Sequence, residues 1–171
     1  KGGTGKSAIS VSLAAALAQA GKRVAIVDAD LNAPSILAML GAKAPVMLYA
    51  SEVIEPASGP LGIRAVSGDF IPREDASAIS FAEAQPEPVH NEVVAPQMGR
   101  EDTVRRLLAQ SRFGNLDLLI IDLAPGIEAL HGLLEIFAPT GVVIVSHPSA
   151  LNARALRSAM RESALRAASL A

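Results

Sequence analysis

The chain has 171 residues, half of them hydrophobic, and a formal net charge of −2. That length and composition support one domain with a sizeable core and exclude a disordered chain. The small negative charge and 3% aromatic content give no ground for a basic nucleic-acid or lipid-binding face, or for a base-stacking platform.

Ser7–Ala20 is rich in Ala and Leu and predicts a helix, with Ile9, Leu13, Ala16 and Leu17 on one face and Gly21 as its stop. Arg23–Asp28 is apolar and β-branched without alternation, as for a strand buried on both faces. Asp28–Pro34 then forms a loop, and Ser35–Leu40 a short helix ended by Gly41. Gly62–Val66 predicts a strand. The acidic, Pro-rich stretch from about 72 to 98 predicts a long surface loop. Glu101–Gln110 carries Val104, Leu107 and Leu108 at helical spacing. Leu118–Asp122 predicts a buried strand ending in an acid. Ala124–Gly126 follows as a turn, Glu128–Phe137 as a helix, Val142–Ser146 as another buried strand and Leu151–Ala168 as a helix. No apolar run approaches the ~20 residues of a membrane span. Alternating buried strands and helices imply an α/β fold, a doubly wound and mostly parallel sheet covered on both sides.

The chemistry begins at the first residue. Lys1–Ser7 reads KGGTGKS, and Gly5, Lys6 and Ser7 fill the last three places of the phosphate-loop pattern G-x-x-x-x-G-K-[ST]. The backbone N–H groups of Gly2, Gly3, Thr4 and Gly5 would turn inward onto phosphate oxygens, with the N-terminus of the next helix behind them. Lys6 would lie along the β- and γ-phosphates, and the Ser7 hydroxyl would ligate Mg²⁺. The motif's first glycine would fall one residue before Lys1, and the strand that should launch the loop is not in the sequence. The chain therefore reads as part of a longer protein, an incomplete P-loop nucleotide-binding domain over 1–171.

A second lysine heads the loop. KGG-x-GK-[ST] resembles the deviant Walker A motif of the MinD/ParA/Mrp group of nucleotide-binding proteins. The resemblance implies a role for Lys1: reaching across a dimer interface to the partner's nucleotide. Outside such a motif, a lysine at a chain end is simply solvated. The run VAIVDADLNAPSILAMLG adds the group's Asp-x-Asp pair, here Asp28 and Asp30, at a strand's C-terminal end, where open α/β sheets bind ligands. Asp30 would direct the attacking water or a Mg²⁺-bound water, with Asp28 supporting it. An isolated Asp pair of this kind would only start a turn.

The Pro34-Ser35 step and Met39-Leu40-Gly41 narrow the resemblance to the Mrp/ApbC branch, with Ala33 standing where that branch usually has Gly. Gly62–Phe70, Asn115–Gly126 and Val142–Arg157 are similar to later segments of the same branch. The resemblance makes Asp122 the Walker B acid that holds Mg²⁺ through a water, and places Gly126 where a backbone N–H meets the γ-phosphate. The second switch departs from the branch: Ile127, Glu128 and Ala129 replace its Thr, Gly and Asp. Glu128 could take over for the missing acid, against the plainer reading of a solvated glutamate at a helix start.

Taken together, the resemblance implies a SIMIBI-type P-loop ATPase that is cytoplasmic and dimeric, uses ATP and Mg²⁺ and hydrolyses slowly. Its client would be a protein in iron–sulfur cluster carriage or assembly. The sequence has no cysteine, so a cluster would be held only by residues outside this chain. Two other readings stay open: a MinD- or ParA-like spatial organiser, or a regulatory ATPase of a secretion, pilus or polysaccharide system. His90, His131 and His147 have no metal-ligand spacing, and Arg154, Arg157 and Arg161 read as a solvated helix face rather than a DNA-binding stripe.

Overall fold

The computed structural model describes residues 3–43, 53–70, 100–126, 128–147 and 157–161. Its elements are α1 (Lys6–Gln19), β1 (Val24–Asp28), α2 (Ile36–Leu40), β2 (Ala57–Ser58), β3 (Arg64–Ser67), α3 (Arg100–Gln110), β4 (Leu118–Asp122) and α4 (Glu128–Ile136). Residues 157–161 are helical; the rest of the expected C-terminal helix and the expected loop at about 72–98 lie outside the described residues.

The sheet runs β2-β3-β1-β4, with β1 parallel to both β3 and β4 and β2 antiparallel on the edge. All five residues of β1 are buried, as its unbroken apolar run requires of a central parallel strand. The core gathers Ile26, Val27, Ile36, Ile63, Val66 and Leu107 around it. Burying such a side chain contributes roughly 1.5–3 kcal/mol each. At the far end of the strands Arg23 and Asp117 lock β1 to β4. The Arg23 guanidinium donates through Nε (3.1 Å) and Nη2 (2.8 Å) to the two Asp117 carboxylate oxygens, and the Arg23 backbone N–H donates at 2.8 Å. Those bonds hold the Asp117 carboxyl well below the usual carboxylate range.

Register brings three polar side chains level at the C-terminal edge of the sheet: Asp28 pairs with Ser67 on β3 and with Asp122 on β4. All three are buried. This is the edge at which doubly wound sheets bind ligands.

Three expectations are corrected. Of the four α1 residues expected on one face, Ile9 and Leu13 are exposed at 44% and 38% and Ala16 is exposed, while Leu17 packs against the core with Ala14, Val11, Ala15 and Ala18. A helix that is apolar or small almost all round gives no stripe from which its inner face can be read. Gly62 lies in a tight turn over Pro60–Gly62, so β3 begins two residues later than expected. Val142–Ser146 is neither a strand nor buried, and Val143 is 70% exposed. β-branched residues form strands only against neighbours. Among the described residues β4 pairs with β1 alone, and no strand stands beside Val142–Ser146.

Candidate functional site

The loop before α1 turns through two left-handed glycines, Gly3 and Gly5, with φ of 83° and 87°. A side chain at either would meet nothing within 4 Å, so conformation rather than space calls for glycine there. Gly5 caps α1, and its carbonyl accepts from the Ile9 N–H at 3.0 Å. The first turn of α1 carries no acidic residue, and no side chain caps its N-terminus. Its free N–H groups and positive dipole end therefore face the loop. Among the described residues the half-buried Lys6 has no hydrogen bond or ion pair from its ammonium group.

Asp122, 3% exposed, ends β4 directly beneath α1. The Ser7 hydroxyl donates to its Oδ2 at 2.5 Å, and the Ser10 hydroxyl donates to its Oδ1 at 2.9 Å. A serine on the phosphate loop and an acid 115 residues away thus form one oxygen-donor pair. Oxygen donors of this hard type suit Mg²⁺, which takes one or two protein ligands alongside substrate phosphates and waters. Among the described residues no group of three or more His, Cys, Asp or Glu stands together as a fuller metal cage.

Asp28, fully buried, has different partners. Its Oδ2 accepts from the backbone N–H groups of Ser35 (2.7 Å) and Ile36 (3.0 Å), and its Oδ1 from that of Asp30 (3.1 Å). It caps α2 and folds the loop back on itself. Burial pushes its carboxyl up, and the nearby Asp122 adds to this; the three N–H donors oppose it without prevailing. The Asp30 carboxylate bonds, among the described residues, only to the Ala33 N–H at 3.3 Å, and it is half-buried. The two acids of the Asp-x-Asp pair therefore differ in burial and in partners.

Gly126 lies in the exposed turn after β4. Lys1, Gly2 and Ile127 lie outside the described residues. Sequence reasoning missed two contacts. Ser10 sits three residues after Ser7 on the same helix, a spacing that puts both hydroxyls on one face and could have revealed it. His147 Nε2 lies 3.3 Å from the Gly3 carbonyl, 144 residues away in sequence. A carbonyl only accepts, so the imidazole donates, and no local signal announces it. A cleft of about 240 Å³ at the opposite edge of the sheet, between Lys22, Arg23, Leu61 and Arg64, lies away from these acids.

Comparison with known proteins gives the chain a family. The family described as NUBPL iron-transfer P-loop NTPase (ParA) matches residues 1–165. An iron-sulfur cluster carrier protein of Saccharolobus solfataricus is 36% identical over 160 residues, covering 92% of this chain and 49% of its own length. The human cytosolic Fe-S cluster assembly factor NUBP2 is 31% identical over 156 residues, 89% of this chain and 53% of its own. Among solved structures, a nucleotide-binding protein from Archaeoglobus fulgidus in complex with ADP superposes with a TM-score of 0.63 at 27% identity. That match covers 95% of this chain and 58% of the other. The chain spans about half the length of the curated relatives it matches. The α/β sheet, the glycine loop and these matches agree, and the chain belongs to the NUBPL iron-transfer P-loop NTPase family.

Proposed function

We propose that this chain is the nucleotide-binding domain of a Mg²⁺-dependent ATPase that carries or assembles iron–sulfur clusters in the cytoplasm as a nucleotide-bridged homodimer. The observation that carries this reading is the Ser7 hydroxyl bonded to the buried Asp122 carboxylate at the mouth of the glycine loop. Ser7 can keep donating its proton to Asp122 while turning its lone pairs outward, so the pair is arranged to hold a cation without rebuilding. When bound there, Mg²⁺ would offset charge on the β- and γ-phosphate oxygens.

The remaining work falls to the chain's own groups. The loop N–H groups of Gly2 to Gly5 and the Lys6 ammonium hold the phosphates, and the N–H of Gly126 meets the γ-phosphate. Asp30, on the loop that Asp28 folds, orients the attacking water. Lys1 reaches the nucleotide of the second subunit. Catalysis on this reading is positioning and electrostatics. The cluster is cargo, and the sequence has no cysteine, so it is held by residues beyond this chain. The carrier role rests on the relatives' names and the family match.

The test is a titration of the full-length protein with ATP and Mg²⁺. Lys6→Ala removes a charge-assisted phosphate contact of about 1.5–3 kcal/mol, so affinity should fall about 10- to 100-fold. Equal affinity in variant and parent would sink the nucleotide assignment.

A further inference from the structure

Asp122 has two carboxylate oxygens, and only one is needed beside Ser7. A carboxylate turns easily about its last bond, because that torsion has broad minima. The second oxygen is held by Ser10, whose hydroxyl donates at 2.9 Å from the next turn of α1. A serine inside a helix commonly bonds back to a carbonyl of the preceding turn. Here the bond crosses from α1 to β4. Ser7 and Ser10 together give the carboxylate two anchor points, three residues apart on one helix face, and these define its plane.

We propose that Ser10 is a positioning residue for the metal-binding acid: its hydroxyl fixes one oxygen of Asp122 so that the other stays aimed at Ser7 and the cation. The inference rests on the reading that Ser7 and Asp122 together hold the magnesium, Asp122 through a water. Residues that orient a ligating carboxylate typically change metal affinity about 10- to 100-fold when removed. Removing Ser10 should leave the helix itself intact, since alanine is the better helix former.

The experiment uses the full-length protein with Ser10→Ala, Ser10→Thr and, as a control on the same helix, the exposed Ser12→Ala. ATP affinity is measured across a Mg²⁺ series and in EDTA, with thermal unfolding followed in the absence of metal. The expected result is a half-saturating Mg²⁺ concentration raised about 10-fold in Ser10→Ala. Affinity in EDTA and the unfolding midpoint should stay near the parent's. Ser10→Thr, which keeps the hydroxyl, should recover the parent's magnesium dependence, and Ser12→Ala should never lose it. Parental magnesium dependence in Ser10→Ala overturns the role of Ser10 alone, and so does an equal loss in Ser12→Ala. A parent protein whose ATP binding ignores Mg²⁺ overturns the ligand reading beneath it as well.

Discussion

Asp28 and Asp122 end neighbouring parallel strands, stand opposite each other in register and are almost equally buried. Their partners divide them. Asp28 accepts three backbone N–H groups, from Asp30, Ser35 and Ile36, which cannot turn away without unfolding the loop. Asp122 accepts two serine hydroxyls, from Ser7 and Ser10, whose oxygen lone pairs can serve another group while each O–H keeps its bond to the carboxylate. An acid tied to backbone builds the scaffold. An acid tied to hydroxyls at a glycine loop is available for chemistry.

The strongest way to break this comparison is to delete each acid in turn. Asp28→Ala strands buried N–H groups, including that of the fully buried Ile36. The loss should be roughly 3 kcal/mol of stability, and about 6–12 °C in Tm for a domain of this size. Asp122→Ala strands only hydroxyls that can find other acceptors, and it relieves a buried charge beside Asp28. Its stability should stay within about 1 kcal/mol of the parent, while the magnesium requirement for ATP binding rises about 10- to 100-fold. Calorimetry with and without Mg²⁺ checks both. Equal destabilisation by the two variants would erase the distinction.

Asp30 sharpens the same contrast from a third position. It shares a loop with Asp28 but is half-buried, and its described bond is a long one to Ala33. Asp30→Ala should fold and bind ATP like the parent, with single-turnover hydrolysis slowed about 10²-fold as the water loses its orienting group. Parental hydrolysis in that variant would move the water-directing role elsewhere, with Glu128 the next residue to substitute.

Much of this was legible in the sequence because local rules and the fold agree. β1 and β4 read as buried strands; both are strands ending in acids, but only β1 is buried throughout, since in β4 Asp122 alone is buried and Leu119 is 37% exposed. Val142–Ser146 is written in the same residue types, yet stands unpaired among the described residues. Composition states that a segment can be a strand; only a neighbour makes it one. The glycine loop was legible because left-handed turns demand particular residues. The different surroundings of Asp28 and Asp30 were less so, since they depend on which carboxylate the loop closes over. Ser10 was legible only by its spacing from Ser7, since a serine inside a helix ordinarily signals nothing by itself.

The smallest expected effect concerns pH, and it contrasts the two ends of the β1–β4 pair. Asp28 has its carboxyl pushed above its ordinary 3.8 by burial first, with Asp122 adding to it. An acid raised in the folded state contributes most below the unfolded value and loses that contribution as pH rises through the folded value. The stability gap between the parent and Asp28→Asn should therefore be widest in acid and narrow as pH climbs above 3.8. Asp117, at the other end, is held low by the bonds from Arg23. Its contribution is present above 3.8 and fades as pH falls toward the folded value, so the gap to Asp117→Asn should close in acid. Because the Arg23–Asp117 pair is exposed, salt should shrink this second gap and leave the first nearly unchanged. Denaturant unfolding of the three proteins from pH 3 to 7, at low and high salt, measures both slopes. Slopes of the same sign would mean that burial does not govern Asp28, and that its three backbone donors hold its carboxyl down as Arg23 holds that of Asp117.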